Sequence, residues 1–547
     1  MKQINGCIKS NYVDIKQQRI FLAQVVWQQG VIQSIEPLAE ENPEYGYLLP
    51  GFVDAHIHIE SSMLTPVEFS RLAVLHGTVA TVSDPHEIAN VLGLKGIHFM
   101  YENAAQTPLK IFFGAPSCVP ATPFETSGAC LTAEQIDTLF KSGETRYLSE
   151  MMNYPGVLAK DPEVMAKLAL AQRYGFPIDG HAPNVLGEQA RLYAQAGIST
   201  DHECSTLAEA EDKIAAGMKI LIREGSAARN FEALHELISL YPDKVMLCSD
   251  DKHPDDLQLG HINQLVARAI AKSHNLYHVL QCACVNPVKH YALAVGQLQL
   301  GDAMDAVEVS DLQSFIPKQT WINGLCVANH EKSFINACDT AEYNHFNARA
   351  VKEDDFLIKA SSKEIRVIKA FDGELITEEW ITDAKTKAGL IVADTERDIL
   401  FLTVVNRYQP SPPSIGFIHG FSLKAGALAS TVAHDSQNII AVGTDISSLC
   451  HAINAIIKKQ GGIVVVDASQ QSHLLALPIA GLMSNEDGNI VAERYKDLNQ
   501  RTKQLGSTLR APFMTLSFMA LLVIPELKLS DKGLFDGRKF DFTTLQV

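Results

Sequence analysis

The sequence predicts a (β/α)8 barrel, flanked by a small β domain and followed by an α/β or α+β domain. Two observations carry this reading. Eight short β-like runs follow one another between residues 51 and 250, mostly separated by stretches long enough for one helix each, the alternation that a closed parallel sheet requires. Most of these runs also carry acids or histidines at their C-terminal ends, where the loops of such a barrel collect chemistry.

Taken in order, the first 50 residues read as short strands, with IFLAQVVWQQGVIQSIEP forming a hairpin that turns at Gln29-Gly30. Pro50-Gly51 then punctuates the chain. The eight candidate strands cover residues 51–58, 78–84, 110–117, 146–151, 177–182, 198–203, 219–226 and 244–250. A helical region follows through HINQLVARAIAKSHN to Asn286-Pro287, and the alternating piece AVGQLQLGDAMDAVEVSDL returns to strands. That return pairs with the N-terminal segment, so the small β domain is discontinuous, residues 1–50 with 296–345, and the barrel occupies 51–295. The polar stretch NACDTAEYNHFNARAVK marks a boundary. New strands (EIRVIKAF, GLIVADT, DILFLTVVNRY, NIIAVGTD, GGIVVVDA) with helices between them make residues 355–547 a separate domain.

The 547-residue chain is 46% hydrophobic and 20% charged, enough to bury a core in each of two or three domains. Its 46 Lys+Arg against 63 Asp+Glu give a net charge of −17, which repels phosphate backbones and disfavours nucleic acid and anionic membranes while leaving a neutral small molecule acceptable. The ten cysteines include no CxxC pair, which fits reduced thiols in a cytoplasm. Cys282-Ala283-Cys284 reads as packing in a helix. The start MKQINGCIKSNYVDIK lacks the apolar core of an export signal. The apolar run at 513–524 is too short to span a bilayer and reads as a buried strand or core helix.

The chemistry begins at His56-Ile57-His58. Side chains alternate along a strand, so the two imidazoles share a face and make half of a metal site. Glu150, His181, His202 and Asp250 fall at the ends of the fourth, fifth, sixth and eighth candidate strands. Singly, His181 reads equally as a buried hydrogen-bonded histidine and His202 as a partner of Asp201 or Glu203. Together with His56 and His58 they predict a binuclear centre, because imidazoles and carboxylates suit divalent first-row ions and a carboxylate can bridge two. A water held by two such ions ionises near neutral pH, and a carboxylate such as Asp250 is then placed to accept its proton and return it to a leaving group. That arrangement hydrolyses C–N bonds.

Ser83-Asp84-Pro85-His86-Glu87 forms a second constellation, where Asp84, His86 and Glu87 orient ligands or carry protons to the substrate. The competing reading is a helix N-cap stiffened by Pro85. Further candidates at the barrel mouth are Glu60, Ser61 and Ser62, Glu125-Thr126-Ser127, Arg223-Glu224-Gly225-Ser226 and Asp251-Lys252-His253. In the C-terminal domain Asn406, Arg407, Lys424, His434 and Asp435 stand out, as packing, as oligomer contacts or as parts of a lid.

The blocks GFVDAHIHIESSM, SDPHEIANVLG, ETSGA, LSEMMNYPGV, DGHAP, TDHE, REGSAARN and CSDDKHPDDL closely resemble the adenine deaminases of the amidohydrolase superfamily. The resemblance continues through VVNRY, GFIHGFSLKAGALASTVAHDSQNIIAVGTD, LPIAGLMS and PFMTLSFMALLVIPELKLSDKGLFD. It implies two divalent metals per chain, manganese first, with iron or zinc as alternatives, and conversion of adenine and water to hypoxanthine and ammonia. Carried over by position, His56 and His58 bind one metal with Asp250, His181 and His202 hold the second, and Glu150 bridges them in place of the carboxylated lysine common in the superfamily. Asp250 then shuttles the proton. The expected partner is adenine, in a homo-oligomer. Two other functions compete: another amidohydrolase acting on a related aminated ring or cyclic amide, and a non-catalytic purine-binding protein. The zinc nucleobase deaminases are a poorer fit, since no P-C-x-x-C follows His58-Ile59-Glu60.

Overall fold

The computed structural model describes residues 4–547, so the first three positions of the predicted N-terminal β region lie outside the described residues. The barrel strands are β1 Phe52–Ile57, β2 Thr78–Ser83, β3 Lys110–Phe113, β4 Leu148–Met151, β5 Ile178–Gly180, β6 Thr200–Asp201, β7 Lys219–Arg223 and β8 Val245–Cys248. Parallel pairing runs β1 to β2 to β3, β4 to β5, and β6 to β7 to β8. A bridge between Ala115 and Leu148 joins β3 to β4, the Ser199 amide donates to the Ile178 carbonyl at 2.8 Å beside β5 and β6, and a bridge between Ile57 and Asp250 closes the ring. Every residue of β1 and β2 is buried, as expected where helices cover the outside of a parallel sheet.

All eight predicted strands exist, but most stop short of their predicted C-terminal ends. The runs at 177–182 and 198–203 shrink to three and two residues. At the mouth the backbone leaves the ladder to turn functional side chains inward, so His58, Asp84, His181, His202 and Asp250 sit just past their strands, with Asp250 in the left-handed region at φ 54°.

Beside the barrel, Gly6–Asp14, Arg19–Gln28, Val31–Glu40 and Tyr47–Pro50 share a seven-stranded sheet with Ala306–Val309, Pro317–Ile322 and Leu325–Asn329. Gln28 faces Val31 across the hairpin, and the two residues between them, Gln29 and Gly30, have φ of 51° and 79°, the backbone of a tight turn that matches strand twist.

The C-terminal region holds an eight-stranded sheet. Along Leu400–Val405 the side chains alternate: Leu400, Leu402 and Val404 join the core shared with the barrel, whereas Phe401 and Val405 face a second core with the helix Ile446–Lys459. Burial on both faces explains why these strands read as unbroken apolar runs. GLIVADT contributes only Leu390–Ile391, paired with Thr386–Lys387 through a turn at Ala388 and Gly389, both with positive φ. Strands Ser414–His419, Ala427–Ser430 and Ser472–Ala476 are additions to the sequence reading, masked there by their glycine, serine and alanine content. The run at 513–524 is the helix Pro512–Phe518 and the buried turns after it. No described helix is long and apolar enough to cross a membrane.

One buried cation fixes two strand ends that matter below. Lys213 is fully buried, with Nζ 3.1 Å from Asp201, 3.0 Å from Glu209 and donating to the Ala182 carbonyl at 2.6 Å. Asp201 in turn accepts from the Ala182 amide at 2.9 Å, tying the residue after His181 to the residue before His202. Lys213→Met leaves two buried carboxylates unpaired and is expected to lower stability by about 3–5 kcal/mol, read as a fall in the urea midpoint.

Candidate metal centre and active site

Asp54 positions the first histidines. Its carboxylate accepts from the Ser249 amide at 3.0 Å and from the His56 amide at 3.3 Å, and lies 2.8 Å from His261 Nε2. β1 and β8 are thereby locked side by side, which brings Asp250 to the HxH pair. His56 Nε2 and His58 Nε2 lie 3.2 Å apart, and Asp250 Oδ1 is 3.6 Å and 3.3 Å from them.

Glu150, on β4, stands at the centre. One oxygen is 3.1 Å from His58 Nε2 and 3.5 Å from His86 Nδ1; the other is 2.8 Å from His181 Nδ1 and 3.2 Å from His202 Nε2. Burial by itself raises this carboxyl, but His181 beside it and hydrogen bonds from His181, His202 and His58 hold it well below the usual carboxylate range. Asp250 behaves alike: burial opposes ionisation, and Arg223, 2.7 Å from Oδ2, with His56 and His58, keeps it a carboxylate. Arg223 also clamps Glu203, which lies 3.5 Å from both His181 and His202.

The six predicted ligands His56, His58, Glu150, His181, His202 and Asp250 thus converge in one place, and all are buried. Their donor atoms approach one another at 2.8–4.0 Å, the range expected of ligands around shared ions, since tetrahedral donors at about 2.1 Å from a metal lie about 3.4 Å apart. His181 Nε2 and Asp84 Oδ1 are buried without a hydrogen-bond partner, which is costly unless something else satisfies them. The residues present therefore fit divalent ions, as an all-nitrogen-and-oxygen donor set does.

The second constellation lines the same pocket. Helix His86–Leu92 begins there with no side-chain cap, so Asp84 is free to contact His86 Nδ1 at 3.1 Å rather than cap the helix. Glu87 is buried and in close contact with His434 Nδ1. Asp435 Oδ1 lies 3.5 Å from His86 Nε2. Burial disfavours a charged His434, but Glu87 and Asp251 raise it to about 9.

The resulting pocket is lined by both domains: Met152, Glu203, Arg223 and Asp251 from the barrel, and Leu375, His434, Asp435, Phe518 and Leu521 from the C-terminal region. Among the open alternatives for the C-terminal residues, His434 and Asp435 are thus pocket walls. Asn406 instead bonds Asp531 at 2.8 Å and buried Arg407 donates to the Ala480 carbonyl at 2.5 Å, both packing contacts, and Lys424 reaches only the Thr395 carbonyl. Of the mouth candidates, Ser61 donates to Asp251 at 2.5 Å, Glu60 accepts from the Ile88 amide, and Ser226 accepts from the His253 amide. Leu375, Phe518 and Leu521 carry no chemical signature in the sequence; Phe518 and Leu521 lie in the apolar run at 513–524, and nothing marks Leu375.

A barrel whose mouth gathers histidines and carboxylates in this way is the architecture of metal-dependent amidohydrolases, and the amidohydrolase family model matches residues 47–327. The chain belongs to that family. Residues 374–541 match the adenine deaminase C-terminal domain, and the chain is 54% identical to an adenine deaminase of Sulfurovum sp. (strain NBC37-1) over 98% of both chains. It is 50% identical to the adenine deaminase of Salinibacter ruber, over 98% of both chains, and 50% identical to that of Methanosarcina barkeri, over 97% of this chain and 98% of that protein. Within the amidohydrolases, the chain belongs to the adenine deaminases.

Proposed function

We propose that this chain hydrolyses adenine to hypoxanthine and ammonia, with His56, His58 and Asp250 holding one divalent ion, His181 and His202 the other, and Glu150 between them. The observation that carries it is the full-length likeness to adenine deaminases, which includes the C-terminal domain whose His434 and Asp435 enter the barrel pocket. When bound, divalent ions lower the pKa of a water and offset charge that builds up in the transition state.

The chain's own residues do the rest. Asp250 takes one proton from the attacking water and passes it to the ring nitrogen beside C6, and then carries the second proton of the same oxygen to the departing amine, which leaves as ammonia while C6 becomes a carbonyl. Arg223 keeps Asp250 ionised before the reaction and fixes its free oxygen. Asp84 orients His86 and, with Glu87 and His434, supports proton movement on the far wall of the pocket. Buried walls from two domains exclude bulk water, which strengthens each of these interactions. Adenine adds water at C6 and loses ammonia from the same carbon, so the reaction balances with no further reactant.

Manganese is the preferred ion, with iron or zinc as alternatives. The same reading includes a homo-oligomer in the cytoplasm, no nucleic-acid partner for a chain of net charge −17, and three units: 1–50 with 296–345, 51–295 and 355–547. A panel of adenine, other aminated rings and cyclic amides tests the substrate. The expected result is release of ammonia from adenine in preference to every other member; cyclic-amide opening without adenine turnover would instead favour a different amidohydrolase.

A further inference from the structure

Of the fifteen residues lining the catalytic pocket, fourteen are buried and only Leu375 reaches solvent in part. Leu375 also lines a second cavity, together with Glu203 and Arg223 of the catalytic pocket. Its other walls are mixed: Asn184, Ser205 and Arg229 are polar, whereas Ile376 and Ile524 are apolar. A cavity with a few polar groups on partly apolar walls suits a small planar heterocycle. The two spaces share Glu203, Arg223 and Leu375 as walls; Glu203 and Arg223 are fixed by their ion pair, which leaves Leu375 as the one of the three without a charged partner.

The segment carrying Leu375 is tethered at three points. Asp372 accepts from Arg510 at 2.7 Å at one end, and Thr377 donates to the Leu527 carbonyl at 2.8 Å at the other. Between them Lys528 donates to the Leu375 carbonyl at 2.6 Å and to the Phe518 carbonyl at 3.1 Å. Lys528 is fully buried, and among the described residues no carboxylate lies within ion-pair distance of it. A buried lysine held only by two carbonyls is costly, and both of its partners are walls of the catalytic pocket. Burial lowers its pKa to about 7, and the neutral amine still donates both bonds.

We propose that the second cavity is an antechamber for the purine base, that Leu375 is the gate between it and the catalytic pocket, and that Lys528 is the positioning residue that sets the gate. This rests on the adenine reading for the ligand class, not for the geometry. A base entering from solvent passes Leu375, and hypoxanthine leaves the same way.

The test is stopped-flow exchange of 2-aminopurine, a fluorescent base without the reactive 6-amino group, on metal-loaded wild type and variants. Leu375→Ala is expected to raise association and dissociation rates about threefold or more with a smaller change in affinity, and Leu375→Trp to lower both about tenfold, as gating of access rather than of binding requires. Lys528→Met should follow Leu375→Ala with metal content unchanged. Rates within twofold of wild type for both Leu375 variants, or failure of wild type to bind the base at all, would overturn the proposal; if Lys528→Met fails to fold, the Leu375 pair still decides. Adenine turnover is scored separately: its absence alongside gated exchange defeats the adenine reading and leaves the gate standing.

Discussion

Glu150→Ala is expected to lose bound metal and activity together, with kcat/KM falling by at least about 10²–10³, the scale on which a single preorganised electrostatic group acts. The reason is its place among the histidines. Its two oxygens lie within 3.5 Å of His58, His86, His181 and His202, so it is the one side chain that joins both halves of the donor set. Without it Asp250 still faces His58 and Glu203 still faces His181 and His202, but no carboxylate joins the two groups. Metal analysis before and after dialysis checks the first half of the expectation, and initial rates with adenine check the second. Retention of two metals per chain by the variant would show that the bridge lies elsewhere.

Asp250→Asn should separate binding from chemistry. The amide keeps the shape and one oxygen donor, but it cannot take up a proton, so kcat is expected to fall by about 10²–10⁴, the usual contribution of a positioned acid–base group, by a larger factor than metal content falls. KM for adenine should change little. Arg223 sharpens the point: in the native chain it binds Asp250 at 2.7 Å and clamps Glu203, so in the variant it keeps an anionic partner and the fold is not left with an unpaired buried charge. A variant that retains both metal and kcat would exclude Asp250 as the proton carrier.

Much of the barrel was legible because its signals are local. Each strand is a short apolar run, and each proposed ligand stands at or just beyond a strand end, so spacing alone gathered His56, His58, Glu150, His181, His202 and Asp250. The strand boundaries were less legible, since turning inward at the mouth ends the ladder one or two residues before the functional side chain. The C-terminal contribution was harder still. His434 and Asp435 lie some 180 residues past the last barrel strand, and nothing in their surroundings encodes which pocket they enter. Their position depends on one face of the C-terminal sheet packing on the barrel, a long-range contact that periodicity does not reveal. Glu203 and Arg223 were visible as strand-end neighbours, but their pairing with each other and with Asp250 is a matter of three-dimensional distance.

The proposed enzyme is a two-metal hydrolase that acts on adenine. Its most direct test is to strip the protein of metal and restore manganese in steps while following hypoxanthine formation and bound metal on the same samples. Activity should climb to a plateau at two ions per chain. Full adenine turnover with fewer than two ions, or none with two bound, would contradict it.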